Sequence, residues 1–220
     1  MPLETIQIET GDKPTATVIV LHGLGADGND FVPFADELDL SAVGPVRYVF
    51  PHAPMMPVTI NGGYVMRAWY DIVGADLAQR EDEAGLRRSM AAVEALIDGE
   101  RARGIAAQRI VLAGFSQGCA VTLLTGLRHR ERLGGLAGMS GYLPLAAKTA
   151  AERSDANRDV PIFLAHGLHD PVVPHSRAAA SRDALQALGY PVQWHEYPME
   201  HSVCGPEVVA LNRWLVDVLG

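Results

Sequence analysis

Ser116 stands between two glycines in Gly114-Phe115-Ser116-Gln117-Gly118, a G-x-S-x-G sequence. Chance produces that pattern often, and its setting is what gives it meaning. An apolar run at 109–114 precedes it and a helix-forming run at 119–127 follows it. The serine therefore falls on a strand-to-helix turn, where its hydroxyl projects from the end of a sheet. The flanking glycines allow neighbouring backbone to come close. A serine hydroxyl becomes a useful nucleophile near neutral pH only with a base in hydrogen-bond reach and a third group to orient that base.

On a strand-turn-helix of this kind the acid and then the histidine follow the serine along the chain. Asp170, in Gly167-Leu168-His169-Asp170-Pro171, lies just past the carboxyl end of the apolar run 160–167. Catalytic groups of open α/β sheets gather at that edge. Asp155 and Asp159 precede the same run, at the wrong edge, and Asp183 falls on a helix. Of the eight histidines, His201 follows the last strand-like run and precedes the final helix. His166 and His169 are second choices for the base. His195 lies inside a strand and reads as structural, and His22 shapes a turn.

Acyl transfer also needs two fixed N–H donors for the developing oxyanion. One is expected at Gln117, the residue after the serine. The other is expected in the loop His22-Gly23-Leu24-Gly25-Ala26-Asp27-Gly28, which follows the strand-like run 16–21. The three glycines of that loop would let it turn sharply toward Ser116. It lacks both G-x-x-x-x-G-K-[ST] and G-x-G-x-x-G, so nucleotide binding is not expected. Zinc-ligand spacings and H-E-x-x-H are missing as well, and the expectation is no metal and no cofactor.

The elements that must position these residues are legible. Strand-length apolar runs at 16–21, 46–50, 109–114, 133–141, 160–167 and 192–198 alternate with helical periods, and 5–9 reads as an extra edge strand. Near-continuous apolar runs indicate strands buried on both faces, as in parallel sheets. Leu86, Met90, Val93 and Ile97 share one helix face, with a stop at Gly104. Similar stripes run through Ala178, Leu185 and Leu188, and through Val208, Leu211, Leu215 and Val218. The expected fold is one α/β domain over residues 1–220, a mostly parallel central sheet with helices on both faces. The segment 51–82 breaks the rhythm with Pro51, Pro54, Pro57 and then Asn61-Gly62-Gly63. A loop that long is usually functional.

Composition narrows the function classes. With 18 Lys and Arg against 26 Asp and Glu among 220 residues, the formal charge is −8, which disfavours nucleic acid or anionic membrane as a partner. A neutral small-molecule ester needs no charged cleft. Hydrophobic residues make up 48% of the chain, enough for a sizeable core. Cys119 and Cys204 read as free, largely buried thiols. The opening MPLETIQIET has no basic or apolar leader, and no apolar run reaches about 18 residues, so a cytoplasmic protein without a stable membrane anchor is expected.

Four motifs occur in order: Leu21-His22-Gly23-Leu24-Gly25-Ala26-Asp27-Gly28, Gly114-Phe115-Ser116-Gln117-Gly118, Gly167-Leu168-His169-Asp170-Pro171-Val172-Val173-Pro174, and Tyr197-Pro198-Met199-Glu200-His201. Together they resemble the phospholipase/carboxylesterase family of α/β-hydrolases, which includes acyl-protein thioesterases and small bacterial carboxylesterases. The resemblance implies the α/β-hydrolase fold, a triad of Ser116, Asp170 and His201, and an oxyanion hole from the N–H groups of Leu24 and Gln117. It implies that residues 57–71 wall the acyl pocket, with Met66 and Trp69 as candidate pocket residues. Gly62, Gly63 and Arg67 make this loop look more like the bacterial carboxylesterases than like the enzymes that remove palmitate from proteins. A homodimer is also suggested by the resemblance. The expected activity is carboxylic ester hydrolysis through an acyl-enzyme at Ser116. The alternatives are a thioesterase or lysophospholipase, a lactone-opening enzyme, and a non-catalytic binding protein.

Overall fold

The structure is a computed structural model and describes residues 3–74 and 81–220. The start of the N-terminal reading, residues 1–2, and residues 75–80 of the long segment lie outside the described residues. Nine strands are described: β1 (Thr5–Glu9), β2 (Ala16–Leu21), β3 (Val46–Pro51), β4 (Met55–Val58), β5 (Tyr64–Arg67), β6 (Ile110–Phe115), β7 (Gly135–Met139), β8 (Ile162–Gly167) and β9 (Val192–Tyr197). Six α-helices accompany them: α1 (Phe34–Glu37), α2 (Glu83–Ala102), α3 (Gln117–Gly126), α4 (Ala146–Glu152), α5 (His175–Ala187) and α6 (Gly205–Leu219).

Seven strands form one sheet in the order β1-β3-β2-β6-β7-β8-β9. All neighbours pair in parallel except β1, which runs antiparallel to β3. The mostly parallel sheet and the extra edge strand are as the sequence implies, and the structure adds the antiparallel direction of that strand. β2 and β6 take the middle because they can be buried on both faces; every residue of β2 is buried.

Two apolar clusters cover the sheet. One face meets α2, α3 and α5 through residues such as Leu86, Val93, Leu123 and Leu185. The other meets α1 and α6 through Phe34, Leu211, Trp214 and Leu215. The α2 stripe read from sequence is the buried face of that helix, and Asp82 caps its start by accepting from the Gly85 N–H at 2.9 Å.

The long segment after β3 is not a plain loop. β4 and β5 pair antiparallel in a hairpin of their own, with Met55 opposite Arg67 and Val58 opposite Tyr64. Pro57 hid this hairpin, because proline argues against a central strand and is tolerated at an edge. Gly62 and Gly63 turn it, with φ of 66° and 80°. The short α1 and α4 also went unread, having too few residues to establish a helical period.

Parallel pairing carries the ends of β2, β6, β8 and β9 to one edge of the sheet. Leu21, Phe115, Gly167 and Tyr197 thus hand over to their following loops side by side.

Candidate active site

Ser116 follows β6 and precedes the first residue of α3. Its φ is 56° and its ψ −116°, left-handed backbone that a serine occupies at a cost of about 1–3 kcal/mol. Its surroundings hold it there. Its N–H donates to the Met139 carbonyl at 2.9 Å. A Cβ on Gly114 would stand 2.3 Å from the Gly118 carbonyl carbon, and one on Gly118 would stand 2.1 Å from the Leu21 carbonyl oxygen. The two glycines are therefore required by the tightness of the turn against β2.

His201 Nε2 lies 3.0 Å from Ser116 Oγ, and its Nδ1 lies 2.7 Å from Asp170 Oδ2. A carboxylate only accepts, so Nδ1 carries the proton and Nε2 presents its lone pair to the serine hydroxyl. The Asp170 carboxylate is fully buried; its Oδ1 accepts the N–H groups of Val172 and Val173, each at 2.8 Å. These bonds fix the Asp170 carboxylate against the His201 ring. The Phe115 ring packs on the His201 ring, with centroids 4.8 Å apart. The structure thus brings Ser116, Asp170 and His201 into one hydrogen-bonded line.

The loop after β2 is pinned from several sides. His22 is buried, and its Nδ1 donates to the Gly23 carbonyl at 2.7 Å while Nε2 accepts from the Ala53 N–H at 3.0 Å. Burial pushes its pKa down, so the neutral ring that this bonding requires is favoured. Gly25 N–H donates to the Arg67 carbonyl at 2.9 Å, tying the loop to the hairpin. Of the loop's three glycines only Gly25 has positive φ. Leu24, Ser116 and Gln117 border one cavity. The backbone N–H groups of Leu24 and Gln117 have no acceptor among the described residues.

The Gln117 side chain has a second task that the sequence did not reveal. Its Oε1 accepts the Trp69 N–H at 3.0 Å and its Nε2 donates to the Tyr70 carbonyl at 2.9 Å. The residue after Ser116 thereby clamps the chain leaving β5. Trp69 does not border either cavity at Ser116. It is buried behind the site, its indole N–H donates to the His22 carbonyl at 2.8 Å, and its carbonyl accepts from Ser89 Oγ. Met66 borders neither cavity; its sulfur accepts from Asn61 Nδ2 at 3.4 Å and lies beside Gly25. Residues that face a partner and residues that merely fill a wall share one apolar signature in sequence.

Two cavities meet at Ser116. The larger, about 1050 Å³, has His201 on its wall together with Phe31, Phe34, Val203 and Val208. The smaller, about 450 Å³, lies toward Gln117 between the hairpin and the Asp170 loop. Its walls include Ile60, Tyr70, Ile72, Tyr142 and Val173. Among the described residues that line either cavity, the carboxylates of Asp30 and Glu37 are the only fixed charges, both at the larger one.

The remaining candidates fall outside the line of contacts. His166 is buried, and its Nε2 donates to the Val173 carbonyl at 2.9 Å and stands 3.4 Å from Asp170 Oδ2, which makes it a support beneath the acid. Burial lowers its pKa. His169 is exposed, and His195 stacks on Phe163 at 4.8 Å within the sheet layer. Both cysteines are free. Burial pushes the Cys119 thiol up to about 12, whereas Cys204 is only half-buried and borders the larger cavity, more open than the sequence suggested. Among the described residues no group of three or more His, Cys, Asp or Glu side chains is placed to hold a metal ion. No described helix is long and apolar enough to cross a membrane.

The phospholipase/carboxylesterase family model matches residues 3–218. Acyl-protein thioesterase 1 of Yarrowia lipolytica is 38% identical over 221 residues, covering 98% of this chain and 97% of that protein. The crystal structure of Zea mays acyl-protein thioesterase 2 superposes with a TM-score of 0.88 at 28% identity, covering 99% of each chain. That of esterase PE8 gives 0.83 at 25% identity, covering 99% of this chain and all of that one. With this sheet, this strand-to-helix serine turn and a match from one end to the other, the chain belongs to the phospholipase/carboxylesterase family, ester-cleaving hydrolases of the α/β-hydrolase fold.

Proposed function

We propose that this protein hydrolyses carboxylic esters through an acyl-enzyme on Ser116. The reading rests on one observation, the Ser116–His201–Asp170 line of hydrogen bonds at 3.0 and 2.7 Å. Ser116 Oγ attacks the ester carbonyl as its proton passes to His201 Nε2. Asp170 holds the tautomer and stabilises the imidazolium. The N–H groups of Leu24 and Gln117 receive the oxyanion. As the tetrahedral intermediate collapses, His201 returns the proton to the departing alkoxide. Water then attacks the acyl-enzyme with the same assistance and frees the acid.

The two cavities divide the substrate. The leaving group takes its proton from His201, so it occupies the larger cavity, where His201 is part of the wall. The acyl chain then enters the smaller one, beside Gln117. Asp30 and Glu37 at the larger cavity favour a neutral leaving group over a phosphate-bearing one, which counts against lysophospholipids. The test is a p-nitrophenyl ester series from acetate upward, run beside Ser116→Ala. Turnover that falls by several orders of magnitude in that variant is expected; near-wild-type turnover would sink the proposal.

Thioester hydrolysis is the second reading, favoured by the 38% identity to an acyl-protein thioesterase across nearly the whole chain. The same residues would perform it, with a thiolate leaving in place of an alkoxide. Thioesters and oxoesters of one acyl chain separate the two. A kcat/KM more than about tenfold higher on the thioester would make it the preferred substrate class.

A further inference from the structure

Tyr70 and Tyr142 place their hydroxyls 2.8 Å apart in the wall of the smaller cavity, and both side chains are buried. Two phenols carry two O–H protons. One proton is spent in the hydrogen bond between them. Arg177 also hydrogen-bonds to the Tyr142 side chain, but a guanidinium only donates, so the second phenol proton has no acceptor among the described residues. Burial pushes both phenol pKa values up, so neither proton is lost to solvent near neutral pH. The guanidinium of Arg177 lies over the Tyr142 ring, 3.8 Å from its centroid, and a cation on the ring face makes that phenol a better donor. The neighbouring walls are apolar, with Leu24, Ile60, Ile72 and Val173. A buried donor in such a wall is costly to leave unpaired, and a site built around one discriminates against ligands that cannot pair it.

We propose that the Tyr70–Tyr142 pair is a specificity element of the acyl cavity, and that it selects acyl groups carrying an uncharged acceptor oxygen part-way along the chain. The inference rests on the serine-esterase reading and on the acyl chain entering the smaller cavity. A plain alkyl chain fills the space and leaves the spare O–H unpaired. A keto or ether oxygen at that depth accepts it.

The test compares p-nitrophenyl 5-oxohexanoate with p-nitrophenyl 5-methylidenehexanoate, which has the same shape and no comparable acceptor. The substitution is remote from the scissile carbonyl, so intrinsic reactivity is matched. The wild-type protein is expected to favour the oxo ester by about tenfold in kcat/KM, the size of one well-placed hydrogen bond. In the Tyr70→Phe/Tyr142→Phe protein that ratio should collapse toward one. Each change removes a single oxygen, and a thermal melt checks that the variant folds. Equal wild-type rates on the two esters overturn the inference and leave the esterase reading standing. A preference that survives in the double variant overturns it as well. Failure to hydrolyse either ester overturns the esterase reading, and this inference with it.

Discussion

At the carboxyl edge of the sheet, Ser116 and Asp170 are buried, Ser116 held by the Met139 carbonyl of β7 and Asp170 by N–H groups of its own loop. The β4–β5 hairpin, by contrast, leaves Tyr64 70% and Met55 59% exposed. Both regions border the space above Ser116. The edge is fixed by contacts too close to tolerate one added carbon atom. The hairpin is tied at a few points: Gly25 N–H on the Arg67 carbonyl, the Gln117 clamp on residues 69 and 70, and Thr59 on the Asp71 carboxylate at 2.5 and 2.7 Å. Under the proposed function, bond-breaking belongs to the edge and substrate choice to the wall. Substitutions at the edge should therefore act on kcat or on folding, and those in the wall on KM.

The largest effect is expected from Asp170→Asn. The amide can still accept from Val172 and Val173, but it no longer stabilises an imidazolium and can favour the wrong tautomer. Steady-state ester hydrolysis should show kcat lower by about 10⁴-fold. A loss below tenfold would separate the acid from the chemistry. Next is Gly118→Ala, whose added Cβ would meet the Leu21 carbonyl oxygen at 2.1 Å. Urea denaturation should show a loss of about 3 kcal/mol or more, or no folded protein at all. An alanine variant of wild-type stability would mean that the turn is looser than described.

A smaller effect tests whether the rigidity of the edge extends into α6, the helix after His201. Glu207 is fully buried near its start, and burial pushes its pKa up to about 7 despite a backbone N–H from Cys204 that opposes the shift. A carboxyl whose pKa is raised in the folded state favours folding while protonated. That contribution is complete below the unfolded value of about 4.5 and is lost as pH rises through about 7. Glu207→Gln should therefore gain stability over wild type at pH 8, by up to about 3 kcal/mol, and the gain should vanish near pH 4. Melts across that range decide it; a difference independent of pH would contradict the buried carboxyl. The smallest effect belongs to the wall. Ile60→Ala should raise KM for a medium-chain ester by a few fold and leave kcat within about twofold. A kcat loss of tenfold or more there would break the division between edge and wall.

The same contrast explains what could be read in advance. The meeting of Ser116, Asp170 and His201 was legible because chain order and strand ends restrict which side chains can gather at that edge. Gly114 and Gly118 were legible because close backbone approach admits no side chain. The hairpin was not, since Pro57 masks an edge strand and its pairing is set by tertiary contact. The hydrogen bond from the Trp69 indole N–H to the His22 carbonyl was not legible, because an aromatic residue beside a site looks alike whether it faces a ligand or a backbone carbonyl. The Gln117 clamp and the Tyr70–Tyr142 pair join residues 47 and 72 positions apart, and no local pattern marks such partners.

The central claim is that Ser116 is a nucleophile activated by His201. Covalent labelling tests it most directly. The protein would be treated with a fluorophosphonate, and the adduct located by intact mass and peptide mapping. The account predicts one adduct per chain, on Ser116, formed far more slowly in His201→Ala and not at all in Ser116→Ala. An unlabelled wild-type protein, or an adduct that persists in Ser116→Ala, would contradict it.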